Sequence, residues 1–248
     1  MKKIVGIIPA RFASSRFPGK PLVNIAGKTM IERVYTQAKK SACLSDVIVA
    51  TDDAAIVNAV KNFGGKVCLT SPHHPSGTDR CAEVLSKMNL ICDAVINIQG
   101  DEPFIDPQQI DLLCTCFDDP RTDLATLIKQ IVSRETLFNP NSPKVIVDRD
   151  HFAIYFSRLP VPFIRGFEEE LWLSKHTFFQ HIGIYGYRPE ILKDITQLPP
   201  SALEKAEALE QLRWVENGYK IKTAITTFET MAIDTPEDLD RIVTALKL

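Results

Sequence analysis

Lys3-Ile4-Val5-Gly6-Ile7-Ile8 runs directly into Pro9-Ala10-Arg11-Phe12-Ala13-Ser14-Ser15-Arg16-Phe17-Pro18-Gly19-Lys20-Pro21. An unbroken apolar run of strand length fits a strand covered on both faces, and the Ser, Gly and Pro after it fit a loop. Working outward, helical spacing through Met30, Ile31, Val34, Tyr35 and Ala38 predicts a helix over 29–41. Residues 46–50 (DVIVA) read as a second strand, and Ile56, Val57 and Val60 as a helix over 53–63 that stops before Gly64-Gly65. Residues 66–69 read as a third strand, 78–89 as a helix and 93–99 as a fourth strand. Strands that scarcely alternate, with helices between them, predict an α/β fold: a mainly parallel twisted sheet flanked by helices. Such sheets bind ligands beyond the carboxyl ends of their strands. Chemistry is therefore expected in the loops at 9–20, 51–53, 70–79 and 99–103.

The second half is less regular. It offers strand-like runs at 124–132, 144–147, 152–156, 182–187 and 221–228 and helical runs at 189–195, 201–217 and 236–247. Neither a linker of boundary character nor an internal repeat is visible, so one domain over 1–248 is expected, with an excursion over about 140–188. Phe163, Phe167, Leu171 and Trp172 lie in that excursion, and apolar groups of this size call for cover. An oligomer contact and packing on the chain's own domain both provide it.

The 248 residues carry 29 Lys plus Arg against 31 Asp plus Glu, a net of −2. That balance speaks against a nucleic-acid partner, which needs a basic face, but not against a small anion met by a few clustered cations. No apolar run reaches membrane-spanning length. Arg11 and Arg16 follow the first apolar run too closely for an export signal, so a cytoplasmic protein is expected. The six cysteines have no CxxC spacing, and reduced thiols are expected of all of them.

Three cations (Arg11, Arg16, Lys20) and two hydroxyls (Ser14, Ser15) crowd the loop after the first strand. Fixed cations and loop N–H groups suit a polyphosphate. The loop has neither GxxxxGK[ST] nor GxGxxG, and on physics alone a solvated basic loop stands equally open. Asp101 follows the fourth strand, where it can serve a divalent ion or simply a turn. If the strand continued that far, alternation would put Asn97, Gln99 and Asp101 on one side. Thr235, Pro236 and Asp238 read as N-cap, N1 and N3 of a helix, which leaves Asp234 for another role or for the helix dipole. On a continuous helix over 201–217, Glu210 falls in the apolar sector with Ala206, Leu203 and Leu209. It must then be paired, for instance with Arg213, or face a polar cavity. Arg80 and Arg158 are suited to a carboxylate, or to surface salt bridges.

The loop IPARxxSSRxPGKPL resembles the signature of the sugar nucleotidyltransferases, in the form of the branch that makes CMP-activated acid sugars. The resemblance continues in register through Ala50-Thr51-Asp52, Ser76-Gly77-Thr78-Asp79-Arg80, Gln99-Gly100-Asp101-Glu102-Pro103, Asn139-Pro140-Asn141, Tyr155-Phe156-Ser157-Arg158, His181 to Arg188, Leu203 to Arg213 and Asp234 to Leu239. Phe12 and Phe17 stand where Tyr and Leu are commoner. The resemblance implies a nucleotide-diphospho-sugar transferase (Rossmann-like) fold and transfer of CMP from CTP to the acid sugar 3-deoxy-D-manno-octulosonate (Kdo). It implies catalytic roles for Lys20, Arg11, Arg16, Asp101 and Asp234, with Asp101 and Asp234 sharing a metal ion. Mg²⁺ is the implied cofactor, two per site, one of them carried by CTP. It implies nucleotide contacts from Pro9, Ala10, Arg11, Ser14, Lys20, Asp52, Ser76, Gly77 and Arg80. Sugar contacts are implied for Arg80, Gln99, Arg158, His181, Tyr185 and Glu210, and a homodimer for the assembly. A related acid sugar in place of Kdo, or an inactive nucleotide-binding protein on the same fold, are the readings left beside it.

Overall fold

The computed structural model describes residues 2–13, 17–229 and 232–246. Ser14 and Arg16 lie outside the described residues. In chain order the elements begin with β1 (Ile4–Ala10), the hairpin strands β2 (Asn24–Ile25) and β3 (Lys28–Thr29), α1 (Met30–Ala38) and β4 (Leu44–Thr51). Then come α2 (Ala54–Asn62), β5 (Val67–Leu69), α3 (Gly77–Lys87), β6 (Ala94–Asn97) and α4 (Pro107–Thr115). β7 (Leu124–Gln130), α5 (Arg134–Phe138), β8 (Lys144–Val147), β9 (Ala153–Ser157), α6 (Trp172–Lys175) and β10 (Phe179–Tyr187) follow. The chain closes with α7 (Pro189–Ile195), α8 (Ala202–Glu207), α9 (Gln211–Glu216), β11 (Ile221–Ile225) and α10 (Pro236–Leu246).

These elements gather into two compact units. The first takes Met1–Cys114, Gly186–Thr196 and Phe228–Leu248, and the second takes Thr115–Tyr185 and Gln197–Thr227. In the first unit the strands stand in the order β6-β1-β4-β5, and every pairing is parallel. Ile7, Ile8, Val47, Ile48, Val49, Val95 and Ile96 are wholly buried, which is why their sequence is apolar without alternation. In the second unit β11 pairs parallel with β7, while β8 pairs antiparallel with both β9 and β10. The sheet is thus mainly parallel with an antiparallel addition, within the α/β class the sequence predicts.

Local signals account for the helix starts. Asp53 caps α2 by accepting from the Ala55 and Ile56 amides, and Ser76 caps α3 by accepting from the Asp79 amide. At α10, the Thr235 hydroxyl accepts from the Asp238 amide, and the Asp238 carboxylate accepts from the Thr235 amide. This is the reciprocal cap the sequence predicts. A core cluster of Ile25, Met30, Ile233 and Ile242, with Phe17, Phe104, Leu239 and Val243 packed on it, holds that C-terminal segment in the first unit.

The structure departs from the sequence reading in four places. β6 ends at Asn97, so alternation does not carry on to Asp101, although the Ile98 amide still donates to Ile7 O. α4 is a helix the sequence reading leaves unassigned, although Ile110, Leu113, Cys114 and Phe117 stand at helical spacing; the Asp106 carboxylate accepts from the Gln108 amide at its start. The helix expected over 201–217 breaks at Ala208, whose φ of 50° is left-handed. Arg158 takes up the carbonyls freed there: its Nε donates to Glu207 O and its Nη2 to Ala208 O. Finally, Cys43 and Cys114 form a disulfide with Cα atoms 6.7 Å apart, against the expectation that every thiol is reduced. Asp111 of α4 also holds that loop, accepting from Ser41 Oγ and from the Cys43 amide.

Ile233 is fully buried in the cluster that fixes the approach to α10. Ile233→Ala is expected to cost about 2–4 kcal/mol of stability, measured by urea unfolding.

Candidate active site

In the first unit the loops after β1 and β6 meet. An ideal Cβ on Gly100 would lie 2.6 Å from Pro9 O, so this close approach admits only glycine. The turn that begins there carries Asp101. Its carbonyl accepts from the Ile233 amide at 2.9 Å, and this backbone bond brings Asp234 alongside. With the α10 cap supplied by Thr235 and Asp238, the Asp234 carboxylate turns to another partner.

That partner is Lys20. Gly19, with φ of 71°, starts the single 3-10 turn Lys20–Leu22 and aims the lysine inward. Lys20 Nζ donates to Asp101 Oδ2 at 2.8 Å and to Asp234 Oδ1 at 3.3 Å, with the lysine side chain only 12% exposed. Two carboxylates 133 residues apart in sequence thus converge on one cation. Beside them Glu102 is buried, and burial together with the Asp101 charge pushes its carboxyl up to about 8. The formal charges of Asp101, Asp234 and Lys20 sum to −1.

Around them lies a cleft of about 210 Å³ lined by Pro9, Ala10, Arg11, Lys20, Pro21, Ser76, Gly77, Arg80, Gln99, Gly100, Asp101 and Asp234. The structure therefore brings together all the sequence-expected residues of this unit that it describes, with one exception. Asp52 is not among the lining residues; it stands beside Arg80, its Oδ2 3.5 Å from Nη2. Arg80 projects from α3, is 1% exposed, and donates from Nη1 to Thr70 Oγ1. Arg80 Nη2, Asp52 Oδ1 and Asn97 Oδ1 are buried without hydrogen-bond partners among the described residues. Unsatisfied groups at that density mark a place where a ligand or water completes the bonding. Thr70 and Asn97 are additions to which the sequence reading gives no role, although it marks the 70–79 loop and sets Asn97 on the side of Gln99 and Asp101. Their signal is positional only, since Thr70 follows the carboxyl end of β5 and Asn97 is the last residue of β6.

In the second unit, His181 and Tyr185 lie on one face of β10 with ring centroids 5.2 Å apart, and Trp214 of α9 meets Tyr185 edge-on at 5.1 Å. His181 Nε2 is 3.0 Å from Thr126 Oγ1, and burial pushes the imidazole down to about 3. It is a neutral hydrogen-bonding group throughout the physiological range. Glu210 immediately precedes α9 instead of sitting on the face of a long helix, so the wheel argument for it falls. Its suggested partner Arg213 pairs with Glu204. Arg158 donates to three carbonyls, those of Glu207, Ala208 and Pro140, so it binds the α8–α9 break and the 139–141 loop together. Glu207, which the sequence did not mark, accepts from Ser157 Oγ and the Arg158 amide at 2.9 Å each. Gln211 Nε2 is buried with no partner among the described residues.

A methyl group at Gly100 would have to displace the Pro9 backbone. Gly100→Ala is expected to lower stability by about 1–3 kcal/mol in urea unfolding. His181 yields a pH test. The unfolded imidazole protonates near 6.5 and the folded one near 3. Stability contributed by this group is complete above pH 6.5 and is lost as pH falls toward 3. Thermal unfolding of His181→Asn should show a flatter dependence across pH 6.5 to 4.5 than the unchanged chain, by up to about 1.4 kcal/mol per pH unit.

Comparison with known proteins places this geometry. A family model described as cytidylyltransferase matches residues 5–221. The chain is 57% identical over 250 residues to a 3-deoxy-manno-octulosonate cytidylyltransferase of Parabacteroides distasonis, covering 99% of each chain. It is 59% identical over 240 residues to the enzyme of the same name from Cytophaga hutchinsonii, covering 96% of each. A solved structure of CMP:2-keto-3-deoxy-manno-octonic acid synthetase complexed with CTP is 43% identical, with a TM-score of 0.90 over 99% of this chain and 100% of that one. The chain belongs to the cytidylyltransferase family, and within it to the 3-deoxy-manno-octulosonate cytidylyltransferases.

Proposed function

We propose that this chain transfers CMP from CTP to the anomeric hydroxyl of Kdo, giving CMP-Kdo and pyrophosphate for lipopolysaccharide synthesis. The convergence of Lys20, Asp101 and Asp234 in the cleft carries the reading in structural terms, and near full-length likeness to enzymes of that name supports it. The hydroxyl oxygen attacks the α-phosphorus in line. The bond from the α-phosphorus to the bridging oxygen breaks, and pyrophosphate leaves with that oxygen. No protein nucleophile takes part, so catalysis is positioning and charge stabilisation.

The donor set fits a divalent ion. Two carboxylates are already held on a single cation, and Mg²⁺ takes one or two carboxylates and fills its shell with water and phosphate oxygens. Among the described residues no cluster of three or more His, Cys, Asp or Glu could hold a metal, so water and substrate oxygens would fill the rest of the shell. Asp101 and Asp234 would hold one Mg²⁺, and a second would arrive with CTP. Bound there, a divalent ion stabilises charge on the phosphate and lowers the pKa of a nearby hydroxyl. Arg11 and Lys20 meet the β- and γ-phosphates, with Arg16 and Ser14 assigned to the same loop. Pro9, Ala10, Ser76 and Gly77 receive base and ribose. Arg80, held by Thr70 and Asp52, and Gln99 reach the ligand from the cleft wall. Arg158, His181, Tyr185 and Glu210 are assigned to the sugar side, Arg158 by ordering the backbone it binds.

No helix among the described residues is long and apolar enough to cross a membrane. We place the reaction in the cytoplasm, where CTP is made. A homodimer would cover Leu159 and Phe163, which are 70% and 73% exposed on the excursion. The whole chain then serves as one nucleotidyltransferase domain.

Asp101→Asn and Asp234→Asn should each reduce pyrophosphate release from CTP and Kdo by at least about 10³-fold at saturating Mg²⁺. Near-normal turnover by either variant overturns the metal assignment. A panel of keto-acid sugars in the same assay tests the choice of Kdo.

A further inference from the structure

Lys20 is placed where two roles conflict. Its ammonium lies between Asp101 Oδ2 and Asp234 Oδ1 at 2.8 and 3.3 Å, the two groups read above as metal ligands. It therefore occupies one oxygen of each carboxylate that a divalent ion would draw on. It is also the cation that the triphosphate would need. One ammonium on a single side chain cannot neutralise both at once. Its surroundings explain why it rests on the carboxylates when the cleft is empty. Asp101 and Asp234 are held together by the Ile233 amide bond to Asp101 O, so without a cation two negative groups would face one another in a partly buried turn.

We propose that Lys20 is the built-in counter-cation of the metal position: it and a divalent ion exclude one another between Asp101 and Asp234, so metal loading and release of Lys20 toward the phosphates are a single event. The inference rests on the reading of Asp101 and Asp234 as metal ligands. Its consequence is linkage. Metal alone must displace an ammonium with nothing to receive it, so it binds weakly. Phosphate oxygens give the displaced lysine a new partner and give the ion its remaining ligands, so the two bind with positive coupling. Lys20 is a long side chain on one short turn after Gly19, with several rotatable bonds through which the exchange can run.

The test uses Mn²⁺ on the full chain without nucleotide or sugar, with unbound Mn²⁺ read by electron paramagnetic resonance. Lys20→Met, which keeps length and removes charge, should bind Mn²⁺ about tenfold more tightly than the unchanged chain. The added affinity should disappear in Lys20→Met/Asp101→Asn. A second arm needs no variant: reductive methylation of Lys20, followed by peptide mass spectrometry, should speed up severalfold when saturating Mg²⁺ is added, while Lys39 and Lys61 stay constant. Unchanged or weaker Mn²⁺ binding by Lys20→Met overturns the proposal. So does tightening that survives in the double variant, or Lys20 labelling that ignores Mg²⁺. Because neither arm contains CTP or Kdo, a failure of the proposed reaction shows in the pyrophosphate assay and a failure of the exchange shows here.

Discussion

The cleft depends on the parallel pairing of β1 with β4 on one side and β6 on the other. A strand paired on both edges has no free backbone groups along its length, and its side chains can be apolar throughout. Its carboxyl end is then the first place where polar groups can gather without a burial cost. The β1 and β6 loops leave at that end, and the β6 loop approaches the last residues of β1 so closely that Gly100 lies against the Pro9 carbonyl. The Asp101 turn, its bond to Ile233 and the position of Asp234 all follow from that approach.

The cleft is held by different forces at its two sides. Toward Asp101 and Asp234 it is electrostatic, with one ammonium balancing two carboxylates in a half-open turn. Toward Arg80 it is an incomplete hydrogen-bond network. Thr70 holds one guanidinium nitrogen and Asp52 approaches the other, while Arg80 Nη2, Asp52 Oδ1 and Asn97 Oδ1 lack hydrogen-bond partners among the described residues. Buried polar groups left unsatisfied carry a cost that ligand binding can relieve, so this wall is suited to gain most when the cleft fills. In the second unit the polar side chains are mostly spent on one another and on the backbone. Arg158 and Glu207 together hold a helix break that neither helix could hold alone.

The legible parts share one property: their cause is local. The apolar run at Ile4–Ile8, the cap at Thr235, and the alternation of strand and helix through the first unit are visible in windows of a few residues. So is the crowding of cations around residue 20, and the motif register that carries the family. The illegible parts have distant causes. Helix periodicity through 201–217 is real, yet Arg158 rewards a break at Ala208 by receiving the carbonyls. α4, by contrast, has local signals, a cap at Asp106 and helical spacing through Ile110, Leu113, Cys114 and Phe117, that the reading passes over. The Cys43–Cys114 pair spans 71 residues, and no spacing rule reaches that far.

By itself, then, the amino-acid order determined an α/β chain with a mainly parallel sheet, the loops in which chemistry would sit, and the residue types that could perform it. Only the tertiary structure decided which of those residues meet. Asp101 and Asp234 come together through one backbone hydrogen bond and a buried isoleucine. Lys20 stands between them, and Arg80 is set by Thr70 and Asp52. Propensity and pattern act over a turn or a strand, whereas the position of a charge depends on what the rest of the chain packs against it.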